Sequence, residues 1–384
     1  MHALGIVQIF TFGTTLYLLS VLAEPIAADT GWPATWVVGA LSIAMLVAGL
    51  LSPRVGDAIG KHGGRQVLAL GCTALAAGLS MIGLAPVLMV YLLGWAVVGV
   101  GMAAALYDAA FATLGKIYGR NARVKITVLT LWGGLASTVM WPLSALLVEN
   151  IGWRGTSLCY AGLLLAVCVP LVLWQVPAVR LTGAAPQQDA GAQVRLTGPE
   201  RTQFTLITLI QVNAGLFATI IAVQLLVLLQ ARGLTLGEAV AIGALVGPAQ
   251  VGGRLLEMAG LGRFHPLWSL AAAVLLCAAG LGLLASGVPV AGIAVIIYGA
   301  GNGILSIARG SLPLALFGPE RYAPLMGRIA RPALAAQAVA PPLGALLITH
   351  FGAGGALFAI TVVATVNVGL LVALFRARAA ASAS

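Results

Sequence analysis

Pro142-Leu143-Ser144-Ala145-Leu146-Leu147 returns as Pro342-Leu343-Gly344-Ala345-Leu346-Leu347, 200 residues later, and Gly99-Val100-Gly101 returns at the same separation as Gly299-Ala300-Gly301. In a chain rich in Gly, Ala and Leu, one such recurrence carries little weight. Two recurrences at one offset, both inside corresponding apolar segments, point to a duplicated unit. What that unit is follows from the segments around them.

A helix needs about 20 apolar residues to cross roughly 30 Å of hydrocarbon. Residues 3–23, 32–52, 126–148, 155–179, 202–231, 332–349 and 352–375 each supply one such run. The run 239–253, between Glu238 and Arg254, is short and must use its flanks. Two longer runs hold a pair of spans each: 66–107 breaks at Leu84-Ala85-Pro86, and 264–308 breaks at Ser286-Gly287-Val288-Pro289. The count is twelve spans, six in each repeat, which predicts an all-α membrane protein with two six-helix pseudo-symmetric halves. Six spans return a chain to its starting side, so the halves share one orientation and are related by an axis along the membrane normal. The expected organisation is an N-terminal bundle (1–179), a linker (180–201), a C-terminal bundle (202–378) and a short tail (379–384).

Composition agrees. Hydrophobic residues make up 60% of the chain and charged ones 8%, far from soluble usage, where roughly a quarter are charged. With the N-terminus inside, eighteen of the twenty Lys and Arg residues lie at or near the cytoplasmic face, and only Arg154 and Arg232 remain outside. Short loops rich in Lys and Arg resist translocation, so this bias sets the orientation. The net charge of +10 is therefore spread among short loops facing anionic lipid, which argues against a nucleic-acid partner. The first run lacks a basic leader and is followed by Glu24-Pro25, which reads as a retained span rather than a signal peptide. Cys72, Cys159, Cys168 and Cys277 lie inside apolar runs without metal-type spacing and read as small packing residues.

The stretch Pro53-Arg54-Val55-Gly56-Asp57-Ala58-Ile59-Gly60-Lys61-His62-Gly63-Gly64-Arg65, read as the loop after span 2, is similar to the G-x-x-x-D-x-x-G-[RK]-[RK] signature of the major facilitator superfamily, with Pro53 replacing the first glycine. A degenerate echo, Gly247 to Arg254, follows span 8. With twelve spans, the whole chain resembles that family. The resemblance implies a central cavity lined by spans 1, 4, 7 and 10, and a cytoplasmic gate that Asp57, Lys61 and Arg65 help to latch. The alternative for Lys61 and Arg65 is that they are only orientation charges. Trp95 stands about where the family's drug/proton antiporters carry an Arg before G-x-G. The loop lengths and the Gly152-Trp153-Arg154 turn look loosely like the monocarboxylate and oxalate/formate branch.

On the cavity spans, polar residues are the candidate substrate contacts. Tyr298, Asn302, Ser306 and Arg309 are spaced 4, 4 and 3 apart, which places them within about 80° of one helix face. Gln8, Thr11 and Thr15 form a similar stripe on span 1. Gln211 on span 7 and Trp95 on span 4 complete the set. Asn, Ser and Thr also hydrogen-bond between transmembrane helices, so a packing role stays open for each.

Asp108 and Arg309 weigh most on mechanism, because ionisable residues inside a span cost about 2.5 to 3.5 kcal/mol on insertion scales and usually face a cavity or a partner. The sequence carries span 4 on through Asp108 and span 10 on through Arg309, each in the cytoplasmic third. A salt bridge between them would make an inner gate, opened by protonation of Asp108 or by an anion competing for Arg309. Snorkelling to the headgroups is the alternative.

These residues predict a secondary active transporter for a small organic solute, an organic anion if Arg309 binds it, working by alternating access with protons as the coupling ion. It is expected in the inner (plasma) membrane, with both termini cytoplasmic, as a monomer in the lipid bilayer, without cofactor or metal. Efflux of hydrophobic or toxic compounds is the alternative transport reading. An enzyme is not expected: His2, His62, His265 and His350 all lie at or beyond span ends, and no nucleophile and base can be assembled. A receptor that binds without flux is the other class left standing. No ATP-binding motif is present to drive primary transport.

Overall fold

The computed structural model describes residues 2–178, 196–260, 263–286 and 291–383. The linker residues 180–195 and the predicted turn 287–290 lie outside them. Every regular element among the described residues is helical. Seven helical runs are long and apolar enough to cross a membrane, and two of them, 88 and 90 residues long, have length for several crossings.

The chain divides into two compact units: residues 2–178 with Phe317–Arg331, and Leu196–Leu316 with Pro332–Ala383. The first contains α1 (His2–Gly13), α2 (Leu19–Thr30), α3 (Ala34–His62), α4 (Gly64–Gly83), α5 (Leu88–Ala105), α6 (Tyr107–Tyr118), α7 (Ala122–Gly134), α8 (Ala136–Leu163) and α9 (Val169–Gln175). The second contains α10 (Gly198–Gln230), α11 (Leu236–Gly243), α12 (Val246–Ala259), α13 (Pro266–Ala285) and most of α14 (Ala291–Ala383). The helical run α14 is turned at Gly318 and Gly352, whose φ values are +74° and +68°. Gly152 turns α8 in the same way, also at φ +68°, so the pair Gly152 and Gly352 repeats the offset of 200 as backbone geometry. Only glycine enters that region without strain.

The G-x-G repeats have a packing reason. A Cβ on Gly101 would sit 2.7 Å from the Leu75 amide nitrogen, and one on Gly301 would sit 2.7 Å from that of Cys277. In each unit the glycine lets two helices approach backbone to backbone, α4 on α5 and α13 on α14, which is how transmembrane helices gain dispersion contact without a hydrophobic drive.

Three local readings differ from the sequence expectation. The first span is not one straight helix. Between α1 and α2 the Thr14 and Thr15 hydroxyls bond the Phe10 and Thr11 carbonyl oxygens at 2.8 and 2.6 Å, and this side-chain competition accompanies the break. The signature stretch after Pro53 is not a loop. It is helical through His62, and Gly63 alone (φ +81°) separates α3 from α4. Pro53 sits inside α3, where its missing N–H removes one ladder bond. Span 4 does not run on through Asp108: the backbone is extended at Leu106, with φ −80° and ψ −173°, and α6 starts afresh at Tyr107.

Candidate functional site

In the first unit, Gln8 is fully buried and its Nε2 donates to the Ala105 carbonyl at 2.8 Å, at the last residue of α5. A helix end leaves carbonyls without partners, and Gln8 satisfies one of them inside the bundle. Its Oε1 is buried without a hydrogen-bond partner. Thr11 and Thr15 are also fully buried and bond carbonyls of their own helix turn, Gln8 O at 3.3 Å and Thr11 O at 2.6 Å. Beyond the break, Tyr107 donates to the Thr130 carbonyl at 3.3 Å and stacks on Phe111, with ring centroids 4.9 Å apart.

Asp108 lies in the first turn of α6, where the partial positive charge of a helix N-terminus favours a carboxylate. It lines a small cavity with Ser52, Gly56, Ala103, Ala323 and Gly327. Asp57 and Arg65 are half-buried and Lys61 is exposed. Trp95 is fully buried in α5, its ring 6.4 Å from that of Tyr91.

In the second unit, three of the four residues of the predicted polar stripe stay partly accessible. From Gly301 to Leu314 every residue is buried except Asn302, Ser306 and Arg309. Tyr298, one turn earlier, is buried with its ring 6.4 Å from Phe217. Ser306 is already engaged: the Arg254 Nε donates to its Oγ at 3.2 Å. Gln211 is buried, and its Oε1 has no hydrogen-bond partner. Asn213 points to Asn367 instead, donating to its Oδ1 at 3.0 Å. Asp108 belongs to the first unit and Arg309 to the second.

Sequence reasoning missed Glu257. It is fully buried and accepts from the Ser269 hydroxyl at 2.9 Å, and Arg254, one turn earlier on α12, is 5% exposed. The helical run holding them extends over Gly237–Ala259, past the charge boundary that made this span look short. The offset of 200 was the available signal. Applied to Pro53, Asp57 and Gly60, it lands on Gly253, Glu257 and Gly260, a closer echo of the signature than Gly247 to Arg254. Cys72, Cys168 and Cys277 are buried as packing residues should be, whereas Cys159 is exposed. Among the described residues no three His, Cys, Asp or Glu side chains converge as a metal site requires.

Helical runs of this length and apolarity, in a chain with no strand among its described residues, define a multi-pass helical membrane protein. The family model described as Major Facilitator Superfamily matches residues 4–330, and the chain belongs to that superfamily of secondary transporters, which are carriers of small molecules rather than catalysts. Its fold is similar to that of FucP in the outward conformation, with TM-score 0.79 and 14% identity over 97% of this chain and 98% of that one. It is also similar to the human organic anion transporter MFSD10 (TETRAN), with TM-score 0.74 and 16% identity over 96% and 97%. At these identities the likeness is one of fold. In sequence, the chain is 31% identical over 201 residues to the transcription regulatory protein OpdE of Pseudomonas aeruginosa. That match takes in 52% of this chain and 47% of the relative, about half its length.

Proposed function

We propose that this protein is a proton-coupled transporter of a small organic anion in a bacterial-type inner membrane, working as a monomer with both termini cytoplasmic. The observation that carries the reading is the stripe of Asn302, Ser306 and Arg309, the only accessible positions between Gly301 and Leu314 on an otherwise buried helical stretch. A guanidinium inside such a stretch is costly unless it meets a cavity or a counter-charge, and an anionic substrate group supplies the second. Asn302 offers both donor and acceptor to orient the rest of the solute. The neighbours in fold include one protein named as an organic anion transporter and another described as a fucose:proton symporter, which supports both halves of the reading. Asp108 and Arg309 are the proposed charge pair of the inner gate, with Asp57, Lys61 and Arg65 as its latch.

Uptake of a panel of radiolabelled carboxylates into proteoliposomes, driven by an inward proton gradient, tests this. The expected result is uptake that dissipates the gradient and is lost in Arg309→Gln. Gradient-driven extrusion that survives Arg309→Gln would favour efflux instead. Trp95, which would have served that alternative, is fully buried beside Tyr91.

The name of the Pseudomonas relative favours a second reading, a receptor whose occupancy is signalled. Binding of a carboxylate without counterflow in the same vesicles would select it.

A further inference from the structure

In the second unit the last stretch of α14 packs antiparallel along α13. Toward the end of α13 the Thr361 hydroxyl donates to the Leu281 carbonyl at 3.2 Å, and at its start the rings of Trp268 and Phe375 meet edge to face, with centroids 5.3 Å apart. Both helices turn an apolar face outward. On α14 Phe358, Val362, Thr365, Gly369, Val372 and Arg376 are all exposed, and their spacings of 4, 3, 4, 3 and 4 put them on one face. On α13 Trp268, Leu275, Ala279 and Leu283 are exposed in the same manner. The one charge in these two stripes is Arg376, at the end where Phe375 meets Trp268.

Three arginines stand at that end. Arg263 lies two residues before His265, the N-cap of α13. Arg376 and Arg378 flank Phe375, about 100° to one side and about 60° to the other at 100° per residue. Arg263 and Arg376 are exposed and Arg378 is half-buried. Among the described residues none of the three guanidiniums has a hydrogen bond or an ion pair. The acids described in this unit are placed differently: Glu200 and Glu238 bond the caps of their own helices, and Glu257 is fully buried.

We propose that this end of the α13–α14 groove binds an anionic phospholipid, its phosphate on the arginines and its acyl chains along the two exposed stripes. A guanidinium fork matches phosphate oxygens two at a time. Tryptophan suits the level where headgroup meets hydrocarbon, and an Arg that ends an apolar face keeps its stem in hydrocarbon while its charge reaches the phosphates. A soluble anion would engage the arginines and leave the stripes uncovered. A second copy packed here about an axis along the membrane normal would set arginine against arginine. The first unit does not repeat the arrangement: the offset of 200 carries Trp268 to Leu68, which is buried, and Phe375 to Gln175. The site does not depend on what the protein carries.

Trp268 itself reports on the site. The full chain is placed in nanodiscs of phosphatidylcholine with a graded fraction of phosphatidylglycerol, bromine being carried on the acyl chains of one lipid at a time. The quenching of Trp268 is the difference between the parent and Trp268→Phe. Brominated phosphatidylglycerol should quench it at a mole fraction at least about fivefold lower than brominated phosphatidylcholine, the effect of a single well-placed cation. With Arg263→Gln, Arg376→Gln and Arg378→Gln combined, the two lipids should quench alike, and Arg376→Gln alone should at least halve the preference if the triple variant does not fold. Arg120→Gln, which removes an exposed cation of the first unit, should leave it intact. Equal quenching by the two lipids in the parent, or a preference that survives loss of the arginines, overturns the proposal. So does a preference abolished by inorganic phosphate at constant ionic strength, which marks a simple anion site, or a Trp268 shielded from both lipids, which marks an interface between copies.

Discussion

Gly56 and Gly327 cross with no room for a methyl group on either. A Cβ on Gly56 would lie 3.2 Å from the Gly327 Cα and 2.5 Å from the Ala323 carbonyl oxygen, and one on Gly327 would lie 3.0 Å from the Pro53 Cα. The segment Phe317–Arg331 belongs to the first unit through this crossing, although more than a hundred residues of the second unit precede it. Tyr322 seats beside it against Gly115, another position that no side chain could share. Overpacking of this kind costs about 1–3 kcal/mol, which the segment can escape by moving off α3. In Gly327→Val, a cysteine placed at Ala323, now 2% exposed, should react with a maleimide several-fold faster than in the parent. Equal rates would show that the crossing does not hold the segment down.

The two buried glutamines should respond in opposite ways. Gln8 gives a hydrogen bond to the Ala105 carbonyl, and losing that donor exposes a helix end to an apolar interior. Gln8→Leu should therefore lower thermal stability, by about 1–3 kcal/mol for an unsatisfied buried group. Both glutamines carry an Oε1 with no hydrogen-bond partner, so what separates them is the helix-end carbonyl that Gln8→Leu strands; Gln211→Leu removes an unsatisfied acceptor. That variant should keep or gain stability and lose solute binding. Thermal unfolding of the two, with and without a stabilising carboxylate, separates them; equal destabilisation would contradict the assignment.

Arg154 and Arg232, the two basic residues expected outside, both end on backbone carbonyls at or just past a helix C-terminus. Arg154 Nη1 donates to Gly83 O at 3.3 Å and Ala85 O at 2.8 Å, and Arg232 Nη2 donates to Ala285 O at 3.0 Å. Ala85 and Ala285 are again 200 apart, so different arginines close corresponding helix ends in the two units. The Asp29 carboxylate stands 3.8 Å from Arg154, but both side chains are largely solvated, at 42% and 57% exposure, and that pair contributes little. Arg154→Gln should cost about 1 kcal/mol in thermal stability, and the cost should be nearly independent of salt. A strong salt dependence would assign the effect to Asp29 instead.

The sequence made the class readable because a bilayer demands long apolar runs and sorts Lys and Arg by side. On α14 the period of 3.6 residues places Tyr298, Asn302, Ser306 and Arg309 on one face, but only the last three are partly accessible; spacing did not show that Tyr298 is buried. The break at Leu84-Ala85-Pro86, marked by its proline, was legible and separates α4 from α5, whereas the break after Ala105 was not. Leu106 carries no Pro or Gly to announce it, and its extended backbone is accompanied by Gln8 taking up the freed carbonyl of Ala105, 97 residues away. Glu257 was hidden for a different reason: Arg254 looked like the edge of a span, whereas burial beside Ser306 and Gln250 carries both charges inside the helical run.

Ser306 and Asn302 differ in a way that spacing alone could not show. The Ser306 hydroxyl bonds the Gly303 carbonyl at 2.7 Å while accepting from Arg254 at 3.2 Å, so its donor and one acceptor position are committed. A solute would have to displace a guanidinium to use it. Ser306→Ala should therefore change carboxylate affinity by no more than about twofold, since the bonds it loses, one to the Gly303 carbonyl and one from the Arg254 guanidinium, are internal and fall on stability rather than on binding. Asn302→Ala, at the same radial position one turn earlier, should weaken affinity about tenfold, the loss expected when a solute's polar group goes unpaired in a buried site. Stabilisation by a transported carboxylate, titrated in both variants, measures the two. A larger loss in Ser306→Ala than in Asn302→Ala would mean that Arg254 releases Ser306 when the solute arrives, and that α12 belongs to the binding site.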